Sequence, residues 1–293
     1  MAKIVVIGSC NVDITVECQR WAKPGETIFG DRLSINPGGK GLNQAVAAAR
    51  LGAEVMMVGC IGDDVYGTLL QKTMEQNGID SRHVKVLPGE NTGTAHITVA
   101  ENDNTIIVIK AANDLVAPSL IDEAWEDIQK ADMVLLQHEI PASTNAYIIE
   151  KCAAAGIPVL LNPAPVAPVS AELLAKVTYL TPNEHEAAIL FNDEGAESIL
   201  LAHEGKVIMT VGSKGVAYAD GGNIITVPAF KVQPVDTTGA GDTVNGAFAV
   251  ARASGKPLAE AIRFANAAAA LSVQKLGAQG GMPYLKDVEE MLK

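Results

Sequence analysis

The sequence predicts a doubly wound α/β fold: a mostly parallel sheet with helices on both faces, plus a small β-sheet lid. Three observations lead there. Short β-branched runs recur along the chain, they alternate with alanine-rich helical stretches, and they are apolar throughout instead of at every second position. Strands of that kind are buried on both faces, and the helices between them give the crossovers a parallel sheet needs. Two segments that break the rhythm supply the lid.

In order, KIVVIG (3–8) reads as the first strand, QAVAAARLG as a helix and EVMMVGCIG as the next strand. ADMVLLQHE follows as a strand, then a helix over 143–155, then strands in IPVLLN, VTYLTPN and KVIMTVG. Helices at 242–254, 257–274 and 284–292 close the chain. Residues 14–36 carry PGE and FGD turns, and residues 93–112 alternate in polarity and turn at END like a hairpin. These two segments pair as a small antiparallel sheet projecting from the main domain, or else add edge strands to the main sheet. No linker or internal repeat divides the chain, so a single domain over 1–293 carrying a lid is expected.

Composition narrows the function classes. With 48% apolar residues in 293, the chain has ample material for a packed core. Its net charge of −12 repels phosphate-rich partners on average, which argues against nucleic acid or an anionic membrane surface. Cys10, Cys18, Cys60 and Cys152 lack CxxC spacing, against a zinc or disulfide framework. The first residues form a strand pattern instead of a targeting segment, and no run of about 18 apolar residues offers a membrane span; a cytoplasmic protein is expected.

Polar residues gather where strands end, the edge at which open α/β sheets bind ligands. Asn11 and Asp13 follow the first strand, Glu139 and Asn162 end two others, and Asn183, Glu186 and Gly212 follow the next two. Two glycine-rich segments are more pointed. In VDTTGAGDTVNGAF (235–248), Val244 stands where a dinucleotide fingerprint needs its third glycine; in the PGGKG segment, Ser34 and Gly41 break the P-loop pattern. What remains is physical. Gly239, Ala240 and Gly241 leave backbone N–H groups unobstructed at a helix N-terminus, an anion hole. Asp242 beside it is either a helix cap or a base that strips a hydroxyl while the hole holds the phosphoryl group under attack. The second cluster, NPGGKGLNQAVAAARLGA (36–53), lets backbone approach a ligand at Gly38, Gly39 and Gly41, with Asn43 offering an amide donor and acceptor and Lys40 either solvated or at the ligand.

The ordered set GSCNVD, PGE, GGKGLNQA, LNPAP, TPNEHE, TVGSKG, DTTGAGDTVNGAF and FANAAAALSVQKLGAQ resembles the ribokinase-like family of carbohydrate kinases over essentially the whole chain. That resemblance implies ATP-dependent phosphorylation of the primary (5-) hydroxyl of D-ribose, held between the main domain and the lid. Asn11 and Asp13 would bind sugar hydroxyls with Gly39, Lys40 and Asn43 beside them and Glu139 bonding from the opposite strand end. Asp242 would be the base and the Gly239, Ala240, Gly241 and Asp242 amides the anion hole. Thr210, Gly212, Ser213, Lys214 and Gly215 would wrap the nucleotide and Asn266 would flank the adenine. Asn183 and Glu186 match the family's NxxE element, which acts on Mg2+ and phosphate through water; as bare spacing, they are also a helix start with its cap and first-turn acid.

The family also uses a monovalent cation, usually K+, near the anion hole. The matching positions are Asp236, Thr238, Ser272, Lys275, Gly277 and Gly281, mostly through backbone carbonyls. Gly281 stands where the family often carries serine, which leaves Asp236 and the loop carbonyls. A homodimer through the lid is implied as well. Two alternatives stay open: a related kinase acting on deoxyribose, fructose or a nucleoside, and a non-catalytic sugar or nucleotide sensor, against which retention of Asp242 and the NxxE pair argues.

Overall fold

The computed structural model describes residues 1–101, 103–192 and 194–293. Strand β1 (Lys3–Ile7) leads into β2 (Asn11–Glu17) and β3 (Arg32–Gly38), then helix α1 (Lys40–Arg50), β4 (Glu54–Gly62), α2 (Val65–Gln76) and β5 (Asp80–Leu87). Next come β6 (Gly93–Ala100), β7 (Asp103–Ile109), α3 (Pro118–Ile128), β8 (Met133–Leu136), α4 (Ala142–Ala155), β9 (Val159–Leu161), α5 (Ala171–Lys176) and β10 (Tyr179–Leu180). The last third holds α6 (Glu184–Leu190), α7 (Ala196–Ala202), β11 (Met209–Thr210), β12 (Val216–Asp220) and β13 (Asn223–Val227). It ends in α8 (Ala240–Ala253), α9 (Leu258–Ser272), α10 (Ala278–Gly281) and α11 (Leu285–Leu292).

Six strands form the central sheet in the order β10-β9-β8-β1-β4-β5, every neighbouring pair parallel. Successive side chains on a strand point to opposite faces, and here both faces are dry. On β1, Ile4 and Val6 enter one core with α1, α8 and α9, while Val5 and Ile7 enter the other with α3 and α4. Met133 and Leu135 on β8 divide from Val134 and Leu136 in the same way. This two-sided burial is why these runs are apolar at every position. No helix among the described residues is long and apolar enough to cross a membrane.

A separate four-stranded sheet has the order β3-β2-β6-β7. Two of its pairings are antiparallel, β2 with β3 and β6 with β7, while β2 and β6 run parallel. The parallel pairing follows from how the chain leaves the body: β2 departs just after β1, and β6 follows β5, so both emerge from the same edge of the central sheet. The turn expected at END includes Asn102, which lies outside the described residues. The third sheet, β11-β12-β13, is antiparallel. Its first strand, from the KVIMTVG run, joins the central sheet only through isolated parallel bridges, Leu180 with Val207 and Asn183 with Thr210.

Candidate active site

The centre of the site is the crossing of α1 and α8. A Cβ added at Gly246 would lie 2.7 Å from the Ala47 Cβ and 2.8 Å from the Gln44 carbonyl oxygen, so the two helices approach more closely than side chains allow elsewhere. One turn earlier on each helix, that approach sets Asp242 opposite Asn43 and Gln44. Asn43 Nδ2 donates to Asp242 Oδ2 at 3.0 Å and Gln44 Nε2 donates to Asp242 Oδ1 at 3.1 Å. Asp242 is buried, 8% exposed. It is not the cap of its helix. Gly239 holds that position, at φ +76°, a left-handed conformation suited to glycine, and Asp242 spends its oxygens on the amides of α1.

Around this carboxylate stand three more charged groups. Lys40 is the first residue of α1, and its backbone N–H donates to Glu139 Oε2 at 3.0 Å, an acid at the positive end of a helix. Ser9 Oγ donates to the same oxygen at 2.5 Å and accepts from the Gly41 N–H at 3.2 Å. Burial raises the Asp242 pKa, and Glu139 adds to this; Lys40 and the two amide hydrogen bonds oppose it. Asp13 is pushed up to about 7, first by burial and then by Glu139 and Asp242, with Lys40 pulling down. For Lys40, burial works against its charge, but Asp242, Glu139, Glu186 and Asp13 together hold the ammonium above its ordinary value. A single cation thus anchors a nest of acids.

The amides of Gly241 and Asp242 fall in the first turn of α8, where no intrahelical acceptor exists. The Ala240 N–H closes a turn on the Thr237 carbonyl at 3.2 Å. Two cavities meet at the loop leading into this helix. One, of about 600 Å³, is lined by Asn183, Thr210, Gly212, Ser213, Gly215, Gly241 and Asn266 among others. The second, of about 710 Å³, runs from Asp13 and Asn36 on the four-stranded sheet to Asp236, Thr238 and Gly277. Pro234 and Thr237 line both.

The residues expected around the nucleotide therefore share one cavity, except Lys214, which is exposed outside it. Asn266 Nδ2 is tied to the carbonyls of Val227 and Pro228, at 2.8 and 3.1 Å. Asn11 is buried, and its Oδ1 accepts from Asn113 Nδ2 at 2.7 Å. Asn183 and Glu186 form a reciprocal capping box at the start of α6. Among the described residues no group of three His, Cys, Asp or Glu side chains is placed to cage a metal; Glu186 has one oxygen engaged by the Asn183 N–H, and its other oxygen would be the one to meet the water of an ion.

Asp236 clasps two loops, accepting from the Thr238 N–H at 2.9 Å and the Gly277 N–H at 2.8 Å. Its burial would raise its pKa, but hydrogen bonds from Thr238 and Gly277 prevail and hold it below the usual carboxylate value. An ionised acid bridging two carbonyl-rich loops fits a monovalent cation. Lys275 is exposed. A Cβ at Gly281 would lie 2.0 Å from the Ser272 carbonyl oxygen, so serine does not fit here without displacing Ser272, a physical reason for glycine at this position.

Several functional neighbours have no mark in the sequence reading. Ser9 orients Glu139, Asn113 orients Asn11, Gln44 touches Asp242, and Gln279 Nε2 donates to Asn43 Oδ1 at 2.9 Å. Gln44 and Gln137 had one available signal, a long amide placed next to an otherwise apolar or small-residue run.

The model of the pfkB family carbohydrate kinases matches residues 1–285. A ribokinase of Bacillus subtilis (strain 168) is 50% identical over 292 residues, covering all of both chains. A deoxyribokinase of Salmonella typhimurium is 36% identical over 300 residues, covering 99% of this chain and 98% of its own. Among solved structures, Arabidopsis thaliana ribokinase complexed with ribose and ATP superposes with a TM-score of 0.91 at 38% identity, over 100% of this chain and 99% of that one. Matched by one family model over almost its whole length, and by full-length relatives at up to half identity, this chain belongs to the pfkB family of carbohydrate kinases.

Proposed function

We propose that the chain transfers the terminal phosphoryl group of ATP to the primary (5-) hydroxyl of D-ribose, giving ribose 5-phosphate and ADP, with Asp242 as general base. One observation carries this reading: a buried carboxylate, gripped by two amides, sits in the first turn of a helix whose leading loop is the common wall of two cavities. ATP occupies the cavity of Asn183, Thr210, Gly212, Ser213, Gly215 and Asn266, and the sugar lies on the side of Asp13, with Asn11, Gly39, Lys40, Asn43 and Glu139 as further hydroxyl partners. Full-length identity to a ribokinase supports ribose as the sugar, as does the density of acids and amides. A site that hydrogen-bonds each hydroxyl penalises an analogue lacking one.

Phosphoryl transfer asks the protein for alignment and charge stabilisation more than for covalent chemistry. Of the expected anion-hole amides, that of Ala240 is engaged by the Thr237 carbonyl; those of Gly239, Gly241 and Asp242 meet the oxygens of the moving group, and Lys40 offsets their charge. Asp242 accepts the proton of the sugar hydroxyl as that oxygen attacks phosphorus and the bond to ADP breaks. Glu186 would hold, through water, a magnesium ion brought with ATP, which would supply positive charge to the phosphates, and Asp236, Thr238 and the carbonyls of 272–281 would hold a monovalent cation, K+, beside the loop before α8. The four-stranded sheet acts as a lid on the single 1–293 domain, and its closure keeps water from the phosphoryl group. We place this activity in the cytoplasm, with the four cysteines free as they are here, and in a homodimer joined through the lids.

The test is ADP release measured over D-ribose, 2-deoxyribose, fructose and nucleosides with ATP and Mg2+, with and without K+. D-ribose is expected to give the highest kcat/KM, and K+ to raise it. Higher turnover with fructose, deoxyribose or a nucleoside would replace the substrate, and no sugar-dependent ADP release at all would make the chain a sensor.

A further inference from the structure

We propose that Gln44 is a positioning residue for phosphoryl transfer, fixing the orientation of the Asp242 carboxylate and favouring its ionised form through a donated hydrogen bond. The inference rests on the reading of Asp242 as the base. Gln44 is fully buried, at 0% exposure, and so touches neither sugar nor nucleotide. Its Nε2 lies 3.1 Å from Asp242 Oδ1 and 3.1 Å from Asn162 Oδ1, while its Oε1 accepts from Gln137 Nε2 at 2.7 Å. Both amide hydrogens are therefore committed. Turning the amide over would set its oxygen against two acceptors and its nitrogen against a donor, so one orientation alone satisfies the surroundings.

The neighbouring groups show what this arrangement costs. Gln137 turns its nitrogen to Gln44 and leaves its own Oε1 buried with no partner among the described residues, although buried amide oxygens are normally paired. Asn145 Nδ2 donates to the Gln137 carbonyl at 2.7 Å, locking that strand end. The two oxygens of Asp242 are thus each held by one of two consecutive amides of α1. Asn43 serves one and is braced by Gln279 on α10; Gln44 serves the other and is braced from the ends of β8 and β9. Of the charged groups facing Asp242, Lys40 on α1 favours ionisation, whereas Glu139 after β8 and Asp13 on β2 oppose it. Burial adds to the acids, and together they outweigh Lys40 and the two amides, so each hydrogen bond donated to the charged form counts.

The test compares pH profiles of kcat for the full chain with D-ribose, ATP and Mg2+. Gln44→Met keeps the length and removes both donors. It is expected to lower kcat roughly 10- to 100-fold, to leave KM for sugar and ATP within about twofold, and to move the acidic limb up by about one pH unit. Gln44→Glu, nearly isosteric, moves the limb further, because a second acid beside Asp242 disfavours its charge; it carries the test if the Met variant does not fold. A role confined to packing lowers the melting temperature and leaves the limb in place, and that result would overturn the proposal. Asp242→Asn is measured alongside. Near-normal turnover in that variant removes the base itself, whereas its inactivity combined with unshifted Gln44 profiles removes only the role of Gln44.

Discussion

Asp13 shows how far one ionisation reaches in this site. Burial, Glu139 and Asp242 raise its pKa from 3.8 to about 7 against the pull of Lys40. A folded-state pKa above the unfolded one means the fold prefers the protonated acid. The stability this contributes is complete below about pH 4 and is lost as pH rises through about 7. Urea denaturation across that range is expected to show the ligand-free protein weakening more steeply with pH than Asp13→Asn; parallel curves would mean that Asp13 ionises normally. Asn43→Ala should move both parameters, lowering kcat about tenfold or more through Asp242 and raising the sugar KM, where a Gln44 variant moves kcat alone. Asp242, Asn43 and Lys40 were legible because glycines and an abrupt change in polarity mark them. Gln44, Gln279 and Ser9 were not, since their partners lie 198, 236 and 130 positions away and nothing local records such a pairing.

Between elements, the decisive contact is Gly246 against Ala47. Gly246→Val is expected to push α8 from α1, to destabilise by about 1–3 kcal/mol, and to reduce kcat more than that loss alone implies, because the Asp242 hydrogen bonds depend on the same spacing. A variant that melts early yet turns over normally would dissociate the helix crossing from the chemistry. Gly281→Ser should likewise lower the melting temperature, since its Cβ meets the Ser272 carbonyl; an unchanged melting temperature would count against that packing. The strands buried on both sides, β1, β4, β8 and β9, could be read directly from their unbroken apolar runs. β5 could not. As an edge strand it keeps Asp80, Arg82 and Lys85 among its apolar residues, and its partner β4 supplies the order that its own pattern lacks. The hairpin of β12 and β13 did carry a turn signal, Gly221–Gly222, both at positive φ, but the short β11 beside it reads as one more parallel strand until its antiparallel pairing is seen. At the start of α6 the structure shows the capping reading of Asn183 and Glu186, a reciprocal box in which the Asn183 N–H engages one Glu186 oxygen.

At the scale of the whole molecule, the four-stranded sheet ends in strands that invite a partner. Ile106, Ile107, Val108 and Ile109 of β7 are 54, 66, 44 and 50% exposed, and Leu33 and Ile35 lie open on β3. Consecutive residues of a strand face opposite ways, so β7 is apolar on both faces, a surface that an edge strand normally has covered. Light scattering is expected to give twice the mass of 30.5 kDa, and Ile107→Lys to shift the protein toward the monomer; a wild-type monomer at all concentrations would end the dimer proposal. A dimer formed through this sheet would join the element that carries Asp13, so the proposed sugar capture and the proposed assembly would share one element. The most direct test of the account is a crystal structure of the complex with D-ribose and a non-hydrolysable ATP analogue, read for a single distance. An Asp242 carboxylate oxygen is expected within about 2.6–3.2 Å of the ribose 5-hydroxyl, and a closed complex in which that hydroxyl lies beyond reach of Asp242, even through one water, would contradict the role of Asp242 as base.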